Sequence, residues 1–273
     1  MIKFEHTVFA LPFALIGALL AGPGIPKGNQ ILWIIAAMVG ARSAAMTFNR
    51  IVDFRYDRLN PRTDRRALPA GNLSMSFAIV FTTLMSGLFI FSAAELNALC
   101  FYLSFPTLAI LFFYSYTKRF TALSHVVLGL AIGLAPLAAW LSIRGEFAWA
   151  PVLLSAAVMF WVAGFDIIYA LQDMEFDRKH SLFSVPARLG PRAALRVSSV
   201  FHIATVLLLF ATAARTRLGP IAFLGIAVVA GILVWEHRIV KPEDLSRVNV
   251  AFFSMNGYVS ILLLITFATD ILL

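Results

Sequence analysis

Cysteine, histidine and charge are all scarce in this sequence, and each scarcity excludes something. A lone Cys100 has no partner for an intrachain disulfide, so there is no stapled framework and no clue to redox compartment; inside its apolar run it reads as a small buried hydrophobe. Five histidines, His6, His125, His180, His202 and His237, are scattered without ligand spacing, which argues against a histidine metal site. Only 13% of the 273 residues are charged, against 60% hydrophobic and 25 phenylalanines, and no soluble core of this size hides so much apolar surface. The apolar runs are unbroken and lack the period-two alternation of a membrane strand. Also absent are a soluble domain, a low-complexity linker and a small-residue cleavage site after the first apolar run, which therefore reads as a retained helix. The chain is expected to be an all-α polytopic membrane protein, a single integral membrane domain over residues 1–273. A net charge of +8 would suggest nucleic acid in a soluble protein. Here no nucleic-acid partner is expected, and the charge reports topology across a lipid bilayer.

Apolar runs of spanning length, roughly 17–25 residues, cover 7–23, 31–48, 75–94, 96–114, 123–141, 151–170, 194–212, 218–235 and 250–272. Nine transmembrane helices around a central cavity are the expectation. The tightest connection is at Glu95, where that residue and Asn97 must turn the chain between two spans. Lys and Arg support the count, because cytoplasmic loops carry the excess. One side holds Lys3, the cluster from Arg50 to Arg66, Lys118 and Arg119, the cluster from Arg178 to Arg196, and Arg238, Lys241 and Arg247. The other holds only Lys27, Arg144, Arg215 and Arg217. The N-terminus is then cytoplasmic and the C-terminus outside, in the cytoplasmic (inner) membrane. Pro61, Pro69 with Gly71, and Pro186 with Gly190 break the basic loops and shape a cap over the cytoplasmic face.

What acidic charge there is concentrates in two places. Asn49, Asp53 and Asp57 are spaced by four at the end of the second span, and Asp166, Tyr169, Asp173 and Asp177 repeat the pattern at the end of the sixth. Residues four apart share a helix face, so each set is a stripe. Carboxylates one turn apart repel unless a cation lies between them, and two facing oxygen-rich stripes suit Mg²⁺ with phosphate oxygens completing its shell. The plainer reading is that these acids neutralise neighbouring arginines at a helix end. Matched depth and matched spacing favour the metal-bridged diphosphate. Arg62, Arg66, Lys118 and Arg119 flank the stripes as partners for phosphate. Arg42 lies inside the second span on the face of Asn49, roughly 10 Å deeper. It either anchors the carboxylate of a small acceptor or pairs internally, for example with Asp166.

Read in order, Asn49-x-x-x-Asp53-x-x-x-Asp57, then Asn60-Pro-Arg62-Thr-Asp-Arg-Arg66-Ala-Leu-Pro69-Ala-Gly71, then Tyr114-Ser-Tyr-Thr-Lys118-Arg119, then Asp166-x-x-Tyr169-x-x-x-Asp173-x-x-x-Asp177, the chain resembles the UbiA superfamily of intramembrane aromatic prenyltransferases. Many members have Asn-Asp where this chain has Asn49-Arg50. With the opening Phe4-Glu-His-Thr, that variant resembles the 4-hydroxybenzoate polyprenyltransferase-like branch that includes menaquinone-pathway enzymes acting on a dihydroxynaphthoate. The resemblance implies transfer of a polyprenyl group from polyprenyl diphosphate to a small aromatic acid in ubiquinone or menaquinone biosynthesis. It implies Mg²⁺ on Asn49, Asp53, Asp57, Asp173 and Asp177, and a catalytic set of Asp53, Asp57, Asp173, Asp177 and Lys118. Asn49, Arg62, Arg66, Lys118 and Arg119 would hold the diphosphate, and Arg42, Asp166 and Tyr169 the acceptor, with Asp173 or Asp166 orienting or deprotonating it. The rivals are a secondary transporter with an Asp/Arg ion pathway, a CDP-alcohol phosphotransferase, whose Asp-Gly-x-x-Ala-Arg pattern is absent, and a non-catalytic scaffold.

Overall fold

A computed structural model describes residues 7–22 and 24–273. Lys3, the Phe4-Glu-His opening and Pro23, where the first span was expected to end, lie outside the described residues. The described chain is helical, without strands: α1 (Thr7–Leu20), α2 (Gly28–Val52), α3 (Phe54–Leu59), α4 (Met75–Leu96), α5 (Ala98–Thr117), α6 (Ser124–Arg144), α7 (Trp149–Ala170), α8 (Met174–Lys179), α9 (Val185–Leu189), α10 (Pro191–Arg215), α11 (Pro220–Ile239), α12 (Val248–Val250) and α13 (Asn256–Leu272). Among the described residues seven helical stretches are long and apolar enough to cross a membrane, and the first and last apolar runs form the shorter helices Thr7–Leu20 and Asn256–Leu272. Each of the nine expected runs falls on a helix. The last is shortened because a π turn, Ala251–Met255, interrupts the α pattern between α12 and α13. Asn256 keeps that wide turn satisfied by donating its amide N–H groups to the Ala251 and Phe252 carbonyls at 3.3 and 3.1 Å.

The tight connection near Glu95 is narrower than the sequence suggests. α4 runs on to Leu96, and Asn97, fully extended, is at once its C-cap and the N-cap of α5. The Asn97 side-chain oxygen accepts the Cys100 N–H at 2.9 Å, and its amide donates to the Leu141 carbonyl at 2.9 Å, tying the hairpin to the end of α6. Cys100 is a free thiol and only half-buried, a departure from the buried hydrophobe expected.

α7 is the axis of the molecule. It packs on α6 along one side and α10 along the other, while α1 lies between α6 and α13, and α13 meets α11. Trp161, Val162, Ala163, Ile167 and Ile168 on α7 are fully buried, and Phe13, Leu209, Val229, Leu263 and Phe267 close the core around it. Many phenylalanines, Phe77, Phe105, Phe113 and Phe210 among them, point outward, as lipid-facing side chains do. The α6–α7 crossing is set by Gly129 and Gly133. A Cβ on Gly129 would stand 2.2 Å from the Met159 carbonyl oxygen, and one on Gly133 2.7 Å from that of Ser155. This small-xxx-small spacing brings two backbones together. Gly129→Val should therefore lower stability by about 1–3 kcal/mol. A thermal unfolding curve in detergent checks it, and an unchanged Tm would show that the helices separate freely.

Candidate functional site

Both acidic stripes form where helices end on one side of the bundle. α2 stops at Val52, Asp53 is a turn residue, and α3 restarts at Phe54. The stripe survives this break because the Asp53 N–H bonds to the Asn49 carbonyl at 2.9 Å and the Asp57 N–H to the Asp53 carbonyl at 2.8 Å, keeping the i to i−4 relation. The second stripe is likewise segmented. α7 ends at Ala170, a 3₁₀ turn runs over Leu171–Asp173, and α8 carries Asp177. The single continuous helices expected from sequence are thus replaced by bent ones. Helix-end residues gain freedom to aim side chains inward.

In the first stripe the Asn49 amide donates to Asp53 at 3.0 Å. Arg66 donates to Asp57 at 2.7 Å, and Arg50, the residue that departs from the family pattern, approaches the other Asp57 oxygen at 3.7 Å. In the second stripe, Arg62 grips Asp173 with Nε and Nη2, the former at 2.9 Å, and donates from Nη1 to the Tyr169 hydroxyl at 3.0 Å. Asn60 adds a bond to Asp173 at 3.1 Å. Lys118, at the C-cap of α5, lies 3.2 Å from both oxygens of buried Asp177. Arg119 donates to the Val52 carbonyl at 2.7 Å, stands 3.8 Å from Asp53, and stacks over Tyr56 and Tyr116. Asp53, Asp57, Asp173 and Asp177 each have a cation within 4 Å, so the plainer reading of the acids as neutralising partners describes this state well.

The stripes join through the loop after α3. Asn60 and Arg62 follow the first motif in sequence yet bind the second, so the two motifs share one rim. Tyr169 faces that rim and is backed by Phe252 from the π turn, ring centroids 4.1 Å apart. Among the described residues no three carboxylates or histidines converge into a ready metal cluster. The donor set still fits a hard cation. Oδ2 of Asp57 is buried and accepts no hydrogen bond, Oδ2 of Asp177 is buried with the Lys118 ammonium 3.2 Å away, and oxygen-only ligands suit Mg²⁺. Burial first, and the neighbouring Asp57 charge second, push the Asp53 carboxyl up to about 6, against the pull of Lys118 and Arg119. Arg62 moves the other way: burial alone would lower it, but the bond and charge of Asp173 hold it above its ordinary value.

The expected acceptor residues divide. Tyr169 belongs to the rim, whereas Asp166 faces α6, where the His125 ring nitrogen Nδ1 lies 2.6 Å from its Oδ2. Arg42 sends its Nε toward the Met46 sulfur at 3.4 Å. Three residues escaped the sequence reading. Asn60 sat inside the quoted motif as a loop residue, and its use 113 positions away leaves no local trace. Tyr114, also inside a quoted motif, lies close enough to Asp53 and Asp166 to feel both charges. His125 was set aside for want of ligand spacing; a histidine serving one carboxylate needs none.

Residues 10–258 match the UbiA prenyltransferase family. The chain is 30% identical over 225 residues to the 4-hydroxybenzoate octaprenyltransferase of Pseudomonas aeruginosa, covering 82% of this chain and 76% of that protein. Its fold superimposes on the apo structure of a UbiA homolog from Aeropyrum pernix K1 with a TM-score of 0.90, 36% identity and 99% of each chain covered. A UbiA homolog from Archaeoglobus fulgidus, solved bound to GPP and Mg²⁺, shares the fold at 22% identity and a TM-score of 0.72 over 98% of both chains.

Proposed function

Because this chain belongs to the UbiA prenyltransferase family, we propose that it moves a polyprenyl group from polyprenyl diphosphate to the ring of a small hydroxylated aromatic acid, with 4-hydroxybenzoate the first acceptor to test. The observation that carries the reading is the rim where Arg62, Arg66 and Lys118 each hold a buried stripe carboxylate. Such a rim is neutralised in advance, so a phosphorylated ligand exchanges ion pairs rather than creating unpaired buried charge. Mg²⁺, present in the Archaeoglobus relative, would be held by Asp53, Asp57, Asp173 and Asp177 with Asn49 beside Asp53, and would supply charge neutralisation of the departing diphosphate. Arg62, Arg66, Lys118 and Arg119 then have phosphate oxygens as partners, and as planar or mobile donors they strengthen as charge develops on the leaving group. The isoprenoid tail enters from lipid between helices, and the apolar surroundings keep water from the allylic cation.

The rim faces the cytoplasm in this reading, with the N-terminus inside and the C-terminus outside, and residues 1–273 act as one membrane-embedded catalytic unit in quinone biosynthesis. The transporter alternative falls with family membership. Labelled polyprenyl diphosphate, Mg²⁺ and a panel of aromatic acids, supplied to proteoliposomes, test the proposal. Prenylated 4-hydroxybenzoate is the expected product, prenylated dihydroxynaphthoate would move the chain to the menaquinone branch, and no prenylated acid would overturn the acceptor class. Arg42→Met is expected to raise KM for the acid about tenfold or more if Arg42 meets its carboxylate. Lost expression with unchanged KM in the remaining protein would make Arg42 a structural charge instead.

A further inference from the structure

His125 is the second residue of α6, 1% exposed, and the prenyl-transfer reading so far gives it no task. Its two ring nitrogens are both engaged. Nδ1 lies 2.6 Å from Asp166 Oδ2, and Nε2 lies 3.2 Å from the backbone nitrogen of Val185. A backbone N–H only donates, so Nε2 must be the accepting, unprotonated nitrogen. The hydrogen is then on Nδ1, the ring is neutral, and Asp166 receives it as a carboxylate. Val185 opens α9, and its N–H is one of the donors that a helix start leaves without a partner. The residue two before it is pinned as well, the Phe183 N–H bonding to the Lys118 carbonyl at 2.7 Å. The loop after the second motif is therefore fastened to both ends of the α5–α6 connection.

Asp166 differs from the rim acids in what holds it. Asp173 gives both oxygens to Arg62 and Asn60, and Asp57 and Asp177 meet cations. The imidazole on Asp166 is neutral and occupies one oxygen, and the side chain keeps 20% exposure. Between the two candidates for handling the acceptor's proton, Asp173 is already committed and Asp166 is not.

We propose that His125 is a positioning residue for the acceptor: locked between the Val185 N–H and Asp166, it aims an ionised Asp166 at the aromatic substrate. This rests on the prenyl-transfer reading above. In the reaction the bond between the allylic carbon and the diphosphate oxygen breaks, the allylic carbon bonds to the ring, and the ring proton passes to Asp166, which becomes a carboxylic acid and later returns it to solvent. His125 does not carry that proton, because its only lone pair is taken by Val185.

The test compares His125→Leu, which removes both bonds, with His125→Asn, whose amide nitrogen reproduces the Nδ1 donor. With polyprenyl diphosphate and 4-hydroxybenzoate, the Leu variant should lose about 10²-fold in kcat with KM for the diphosphate unchanged, and the Asn variant should recover most of that loss. A Leu variant with wild-type kcat, a loss that falls on the diphosphate KM, or an Asn variant as poor as Leu would overturn the proposal. Should the Leu variant not fold, the Asn variant decides by its kcat, expected within about tenfold of wild type. A readout free of turnover is nitrogen NMR of histidine-labelled protein, with the His125 signal identified by its loss in the Asn variant. A neutral ring protonated at Nδ1 is expected; an imidazolium or an Nε2-protonated ring overturns the lock. The expected tautomer in a protein that prenylates no aromatic acid would leave the lock standing and remove the acceptor reading alone.

Discussion

Asp173→Asn is expected to lower kcat/KM for prenyl transfer by about 10²–10⁴-fold, the equivalent of about 3–5 kcal/mol, because it removes the charge from the buried half of a bidentate ion pair that anchors the rim. Asp173 is where the two motifs meet: Arg62 and Asn60 come from the loop after the first, and both bind it. Without its charge, Arg62, exposed at the rim beside Tyr169, loses its bidentate partner, and the loop after α3 loses its anchor on the second motif. The variant should also unfold at lower temperature. Asp53→Asn makes the informative contrast. Burial disfavours the ionised form of Asp53, whose carboxyl is raised to about 6. Above that pH its charge costs the fold, so Asn at 53 should leave Tm unchanged or higher while prenyl transfer is lost. Kinetics and melting curves on the two variants separate them. Transfer that survived both substitutions would sink the two-stripe mechanism.

Stripping divalent cations with EDTA is expected to abolish turnover, a loss of about 10³-fold or more, and added Mg²⁺ should restore it. The stripes by themselves are well neutralised by Arg62, Arg66 and Lys118, so the fold needs no metal and the melting curve should not move with EDTA. The need arises with the diphosphate, whose charge must be matched while the cations leave their carboxylates. The buried Oδ2 of Asp57, which accepts no hydrogen bond, and the Oδ2 of Asp177, freed as Lys118 turns to phosphate, are the natural landing points. Turnover that ignores EDTA, or a Tm that collapses with it, would each contradict this division between a metal-free scaffold and a metal-dependent reaction.

The rim and the deeper acceptor region were unequally legible. Asn49, Asp53 and Asp57, or Asp173 and Asp177, announce themselves by spacing, because one helix face repeats every three to four residues. The break at Asp53 left no mark in that spacing, since hydrogen bonding from Asp53 to Asn49 and from Asp57 to Asp53 carries the periodicity through. The π turn over Ala251–Met255 hid for a related reason: its residues are as apolar as the helix around it, and only Asn256, buried against two carbonyls, explains it.

By itself, the sequence determined the membrane class, the helical architecture and the list of acids and bases that meet at the helix ends, because apolar length and side-chain period are local properties of a chain. Which base serves which acid was decided only by the tertiary structure. Arg62 reaches Asp173 across 111 residues, Lys118 reaches Asp177 across 59, and His125 rather than Arg42 takes the Asp166 oxygen at 2.6 Å. The physical reason is that periodicity states the face a side chain shares but not the helix opposite it. That neighbour is chosen by packing, and here by Gly129 and Gly133, which bring α6 close enough to α7 for His125 and Asp166 to touch.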